Sequence, residues 1–224
     1  TAKLDALARA RSDRGVSAVL RNRESWESAP ELRAALDARR KRDDADFQHM
    51  VALQEELDWL CYALYGLDET SDVVPPDQVE PLSPTWLPWC LDFAARDAAN
   101  RATIARGEES SESPSVWFER HRWEPATEAP KTLSASTRAR IEARRARTRA
   151  NPALTLIEAA NFKRRWYKPD YETEEREALE LWLADQVETV VKDRGRPLTL
   201  EQASAALQDD ARVLAVCEVL TGRR

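Results

Sequence analysis

Apolar residues recur at spacings of three and four along most of the chain, and no stretch alternates with period two. That spacing is the signature of helices buried by one face, so the sequence predicts an all-α fold: an irregular multi-helix bundle with long proline-rich and polar connectors. A short first helix is expected over residues 2–10, with Gly15 ending its segment. The next begins after Pro30 with Leu32 and Leu36, then meets residues 37–46, DARRKRDDAD, which are polar on every side. Such a stretch is either the solvent-exposed middle of a helix or a break between two helices. From Phe47 the stripe resumes through Met50, Val51, Leu57, Cys61 and Leu64, with Trp59, Tyr62 and Tyr65 expected as core anchors. Gly66 supplies the left-handed residue that closes the helix.

Five prolines between residues 68 and 88 exclude any regular element there. A helix is expected from Pro88 to about Arg106, carrying Trp89, Cys90, Phe93 and Ala94 inward. Residues 107–115, GEESSESPS, read as a polar loop, residues 117–121 as a short helical piece, and residues 125–130 as a second connector. Asn151-Pro152 ends a basic helix; an amphipathic helix runs from about Thr173 to Gly195, with Leu179, Trp182, Leu183, Val187, Val190 and Val191 on its apolar face. Thr199 to Gln202 has the form of a capping box that opens a terminal helical pair, its stripe including Leu207, Val213, Leu214, Cys217 and Leu220. The connectors divide the sequence into residues 1–67, 68–130 and 131–224.

Charge adds one feature to this picture. The net charge is −6, yet residues 131–170 carry eleven Lys or Arg against three acids, a local +8 that leaves −14 elsewhere. A basic segment in an acidic chain is the footprint of a phosphate-facing surface. With Arg outnumbering Lys 28 to 6, the same helix also reads as an ordinary solvated face. At 100° per residue, Ala139, Ala143, Ala146 and Ala150 form one stripe, suited to close helix contact. Arg140, Arg144 and Arg147 form a second, and Arg138, Arg145 and Arg149 a third. Lys163, Arg164, Arg165 and Trp166 follow as a KRRW cluster, in which Arg165 and Trp166 beside Tyr167 either stack internally or face nucleic acid.

No apolar run approaches the roughly 18 residues of a membrane span, and the N-terminus is too charged for a signal peptide, which predicts a soluble cytoplasmic protein. Its start at Thr1 suggests a fragment or a processed chain. Cys61, Cys90 and Cys217 are far apart in apolar contexts and read as reduced thiols. His49 and His121 have no neighbouring Cys, so no metal site is expected.

Two segments in order, LQEELDWLCYALYGL at residues 53–67 and LIEAANFKRRW at residues 156–166, with WFERH at residues 117–121 between them, resemble the C-terminal region of the PglX family. These are adenine-specific DNA methyltransferases of the phage growth limitation (BREX type 2) defence systems. The first segment alone is similar to the wider group of restriction-modification adenine methylases; the later ones narrow the match. The resemblance implies a parent enzyme that uses S-adenosylmethionine on double-stranded DNA.

The catalytic parts such an enzyme is expected to have are not legible in this chain. Its five glycines are isolated, so none forms a loop for a cofactor. The nearest stretches to an Asn-Pro-Pro-aromatic base grip are residues 151–154, NPAL, and residues 74–77, VPPD. The expectation is therefore a non-catalytic helical C-terminal module, with no catalytic, cofactor-binding or metal site of its own. It helps to hold DNA, or the catalytic and target-recognition domains, through Arg144, Arg145, Lys163, Arg164 and Arg165. The rival reading is a protein–protein docking module for another BREX component, and a third is a structural spacer without a ligand.

Overall fold

Short polar side chains open five of the ten described α-helices. Ser134, Asn151, Asp170, Thr199 and Asp210 each accept backbone N–H groups at an N-cap, and Thr199 with Gln202 completes the reciprocal capping box. The computed structural model describes residues 2–22, 24–68, 72–110, 112–163 and 166–222. Among these are ten α-helices and no strand: α1 (Ala2–Asp13), α2 (Val16–Arg21), α3 (Ala29–Leu64), α4 (Pro88–Ala105), α5 (Trp117–His121), α6 (Ala135–Ala150), α7 (Pro152–Ile157), α8 (Tyr171–Arg194), α9 (Leu200–Leu207) and α10 (Ala211–Thr221). The all-α expectation is met. Gly66 and Gly195 end α3 and α8 with φ of 69° and 63°, the left-handed conformation that the sequence called for.

The polar stretch 37–46 is not a break, because α3 runs through it unbroken; Ala38, Lys41, Arg42, Asp44 and Ala45 are exposed there, while Arg39 and Asp43 are buried. Its charges are sorted by the helix and matched in space. Arg33 and Arg40 both donate to Glu175 at 2.9 Å, Arg39 pairs with Glu174, and Asp43 accepts from Arg11 at 2.7 and 2.9 Å and from the Tyr171 hydroxyl at 2.9 Å. A linear reading sees alternating charge; the partners lie more than a hundred residues away or on α1.

The chain groups into two compact units. One comprises Thr1–Asp5 and Phe47–Pro169, the other Ala6–Asp46 and Asp170–Arg224. The core of the second is Val16, Leu20, Trp26, Ala29, Leu32, Leu36, Leu179, Ala215 and Val216. The Arg212 guanidinium lies 3.9 Å from the Trp26 ring centre and 5.7 Å from that of Trp182, and donates to the Leu20 carbonyl at 2.8 Å. Along α8 the apolar face is buried at Leu179, and by Val187 it is 39% exposed, a shorter contact than the sequence stripe implied.

In the first unit Trp59 and Tyr62 of α3 pack with Leu154 of α7, as expected of the aromatic anchors. Tyr65 is the exception. It stands 82% exposed beyond the last turn of α3, because the helix ends at Leu64 and Gly66 turns the chain away. A second aromatic group joins Trp89 and Phe93 of α4 to Trp117 and Phe118 of α5, and His121 is stacked between Trp117 and Tyr167 with ring centres 4.1 and 4.6 Å away. Urea unfolding should separate the two kinds of aromatic. Trp59→Ala is expected to cost about 3–5 kcal/mol, the range for a buried Trp truncation, whereas Tyr65→Ala should stay within about 0.5 kcal/mol of the parent.

Candidate functional site

The basic helix α6 is oriented opposite to its alanine stripe. Ala139, Ala143, Ala146 and Ala150 are all exposed, while Thr137, Ile141, Arg144, Arg145 and Thr148 are buried. Burying arginine in place of alanine requires countercharges, and α3 with the following connector supplies them. Arg144, 2% exposed, donates from Nη1 and Nη2 to the two carboxylate oxygens of Glu56 at 3.0 and 2.9 Å, and from Nε to Asp72 at 3.3 Å. Arg147 donates to the other oxygen of Asp72 at 2.8 Å and lies 3.2 Å from Asp68. Both guanidinium groups sit over the Trp59 ring, 5.1 and 4.8 Å from its centre. Arg145 donates to Asp92 of α4 and to Glu142, each at 2.7 Å.

Lys163 completes the cluster from the far side. Its ammonium reaches Asp58 at 2.6 Å and Glu158 at 2.5 Å, and Glu158 also accepts from the Tyr62 hydroxyl. Glu55 stands among these groups, accepting from Trp59 Nε1 at 2.6 Å and lying 3.7 Å from Arg144. Burial, then the neighbouring charge of Glu158, pushes the Glu55 carboxyl up to about 7, against the opposing pull of Lys163 and Arg144. Burial works against the Lys163 ammonium, but Glu158, Glu55 and Asp58 outweigh it and hold its pKa above the ordinary lysine value.

Of the five cations singled out in the sequence, Arg144, Arg145 and Lys163 thus have protein carboxylates as partners; Arg164 and Arg165 lie outside the described residues. The carboxylates that meet them, Glu55, Glu56, Asp58, Asp72 and Asp92, were not recognised in the sequence. The available signal was the EELD run on the same helix as Trp59, which places Glu55, Glu56 and Asp58 at the inner edge of α3. Asn151 is also engaged at both ends of its amide. Its carbonyl oxygen accepts from the N–H groups of Ala153 and Leu154, and its amide donates to the Leu67 carbonyl at 2.7 Å. Among the described residues no group of three or more His, Cys, Asp or Glu is placed to hold a metal ion, and no helix is long and apolar enough to cross a membrane.

Residues 50–224 match the family described as a domain of unknown function, DUF7008. The chain belongs to that family. It is also 30% identical, over 226 aligned residues, to the adenine-specific methyltransferase PglX of Streptomyces coelicolor. That alignment takes in 99% of this chain and 18% of the relative, so the chain spans about a fifth of the length of the protein it matches. The resemblance read from the three sequence segments is therefore upheld, and it is consistent with the C-terminal region of PglX. No solved structure matches. The segments that carried the resemblance have structural duties in this DUF7008 chain: EELDWLCY holds Glu55, Glu56, Asp58, Trp59 and Tyr62, and LIEAANFK holds Glu158 and Lys163.

Two outcomes follow for the cluster. Arg144→Ala leaves Glu56 buried without its bidentate partner and should lower stability by about 3–5 kcal/mol in denaturant titrations, whereas Arg149→Ala, on an exposed pair with Asp92, should cost less than about 1 kcal/mol. Glu55 gives a pH signature. Its pKa is raised in the folded state from an ordinary value near 4.5, so its contribution is fully favourable below about pH 4.5 and is lost as pH rises through 7. Glu55→Gln keeps an acceptor for Trp59. The melting temperature of this variant relative to the parent should therefore rise between pH 4.5 and pH 8, and a pH-independent difference would contradict the assignment.

Proposed function

We propose that this chain is a non-catalytic helical module of a PglX-like adenine-N6 DNA methyltransferase acting in antiphage defence in the cytoplasm, where it helps to hold DNA or the catalytic and target-recognition domains. The parent enzyme would take S-adenosylmethionine and double-stranded DNA. The observation that carries the non-catalytic reading is the state of Asn151. The side chain nearest in sequence context to a base-gripping asparagine is committed to the fold at both ends of its amide, the oxygen capping α7 and the NH2 donating to the Leu67 carbonyl, which supports a structural role. Pro75 and Pro76 line an apolar cleft with Val73 and Val74 instead of flanking an aromatic platform. These observations support the non-catalytic reading, and no step is assigned to the residues of this chain.

Within this proposal Arg144, Arg145 and Lys163 act as internal countercharges that fix the shape of the module, and any phosphate contact in the KRRW segment falls to Arg164 and Arg165. A second reading, docking to another component of the defence system, is favoured by that same cleft. It has a volume of about 590 Å³ and is lined by Leu53, Leu57, Leu60 and the Val73 to Pro76 strip.

Calorimetry with S-adenosylmethionine should detect no binding to the chain, and micromolar affinity would overturn the non-catalytic reading. For the holding role, an Arg164→Ala, Arg165→Ala double variant should weaken binding to all duplex sequences alike and flatten the dependence of log affinity on log salt by roughly one unit per lost contact. An unchanged slope with a lowered melting temperature would make these two residues structural as well. Affinity for a protein component that is insensitive to salt would favour docking.

A further inference from the structure

The helix face of residues 35–42 holds a feature that the ion pairs above do not account for. Ala35, Ala38, Arg39 and Arg42 lie on one side of α3, and together with Ala18, Val19 and Asn22 from α2 and its C-cap, Ser25, and Arg14 from the turn between α1 and α2, they line a cavity of about 340 Å³. Three arginines and no carboxylate form its wall. Like charges gathered on a shared, partly desolvated surface repel, and an anion between them removes that repulsion.

Each arginine contributes differently. Arg14 pairs with Asp46 and Arg39 with Glu174, acids outside the lining. Arg39 also donates from Nε to the Arg14 carbonyl at 3.3 Å, yet its Nη1 is buried without an acceptor. A buried guanidinium N–H without a partner is rare in folded proteins and marks a place where an acceptor is wanted. Arg42 is exposed at the rim and has no carboxylate partner among the described residues. The Asn22 side chain adds amide donors, and the alanines at 18, 35 and 38 leave the approach open.

We propose that this cavity binds a phosphate group, with Arg14, Arg39 and Arg42 as its cationic wall. Guanidinium forks match the oxygens of phosphate, whether it sits on the backbone of duplex DNA or on a small phosphorylated molecule. The DNA source rests on the holding role argued above; the phosphate chemistry does not. Nothing in the composition of residues 37–46 pointed to it, because four cations and four acids there cancel in sequence and are separated only by the helical turn.

The test uses the full chain with Arg42→Glu and Ala38→Glu, two exposed positions whose replacement should leave the chain folded, with an unliganded melting temperature at or above that of the parent because the added carboxylate relieves the arginine repulsion. Inorganic phosphate, compared with chloride at equal ionic strength, should raise the melting temperature of the parent, and each variant should weaken the apparent phosphate affinity by on the order of tenfold. Anisotropy of labelled duplex DNA across a salt series then identifies the source. A slope reduced by about one unit in Arg42→Glu assigns the site to DNA backbone, and an unchanged slope with lost phosphate stabilisation assigns it to a small ligand. A parent protein indifferent to phosphate, or variants that bind phosphate as the parent does, overturn the site. DNA binding that persists in those variants would leave the holding role standing without it.

Discussion

When a guanidinium is placed where water cannot reach it, the surrounding chain must supply acceptors in a fixed geometry, and Arg144 imposes this requirement on the first unit. Its fork fits both oxygens of Glu56, a third contact reaches Asp72 in the connector after α3, and the flat face covers Trp59. A carboxylate, an indole and a loop are thereby registered against one helix. Glu56 in turn accepts the Val74 backbone N–H at 2.9 Å, so the same pair pins a proline-rich strip that has no regular hydrogen bonding of its own. Hydrophobic packing alone would tolerate sliding of α6 over α3. A bidentate ion pair in low dielectric does not, since a displaced partner leaves an uncompensated charge.

The fold was legible wherever local rules decide it. Pro88 at the first turn of α4, Asn151-Pro152 between α6 and α7, Gly66, Gly195 and the Thr199 capping box all act through residues within four positions of one another, and all stand where the sequence placed them. What escaped was orientation. A helix with an alanine stripe and two arginine stripes buries whichever side finds partners, and the partners of Arg144 are 72 and 88 residues away. The rule that charges face water and alanines face a neighbour gave the inverse of the observed α6. The same reason explains residues 37–46, which read as polar on every side because their partners Glu174, Glu175, Arg11 and Tyr171 are distant in sequence.

The candidate site was half legible for a related reason. Sequence identified the cations of α6 and the KRRW segment as unusual, which they are, but charge density does not distinguish a surface offered to phosphate from an interior ion network. Only the burial of the acids decides. Glu55, Glu56 and Glu158 are each at most 5% exposed, and that burial, with the neighbouring charge of Glu158, is what lifts the Glu55 carboxyl toward neutrality. The family resemblance was carried by these same segments, so the motif reports the network that shapes the module and says little about what its outer face touches.

The second unit is assembled from residues 6–46 and 170–224, the two ends of the sequence around an intervening unit. That arrangement has a temporal consequence. On a ribosome adding ~5–20 residues per second, Leu20, Trp26, Leu32 and Leu36 emerge on the order of ten seconds before Leu179, Ala215 and Val216 exist to cover them. The early half therefore emerges with its apolar residues uncovered, while the intervening unit is contiguous in sequence apart from its first few residues. Residues 37–46 carry four cations and four acids, a composition that opposes non-specific association of a segment whose apolar partners have yet to emerge, so the charges that join α3 to α8 are also suited to guarding an incomplete core.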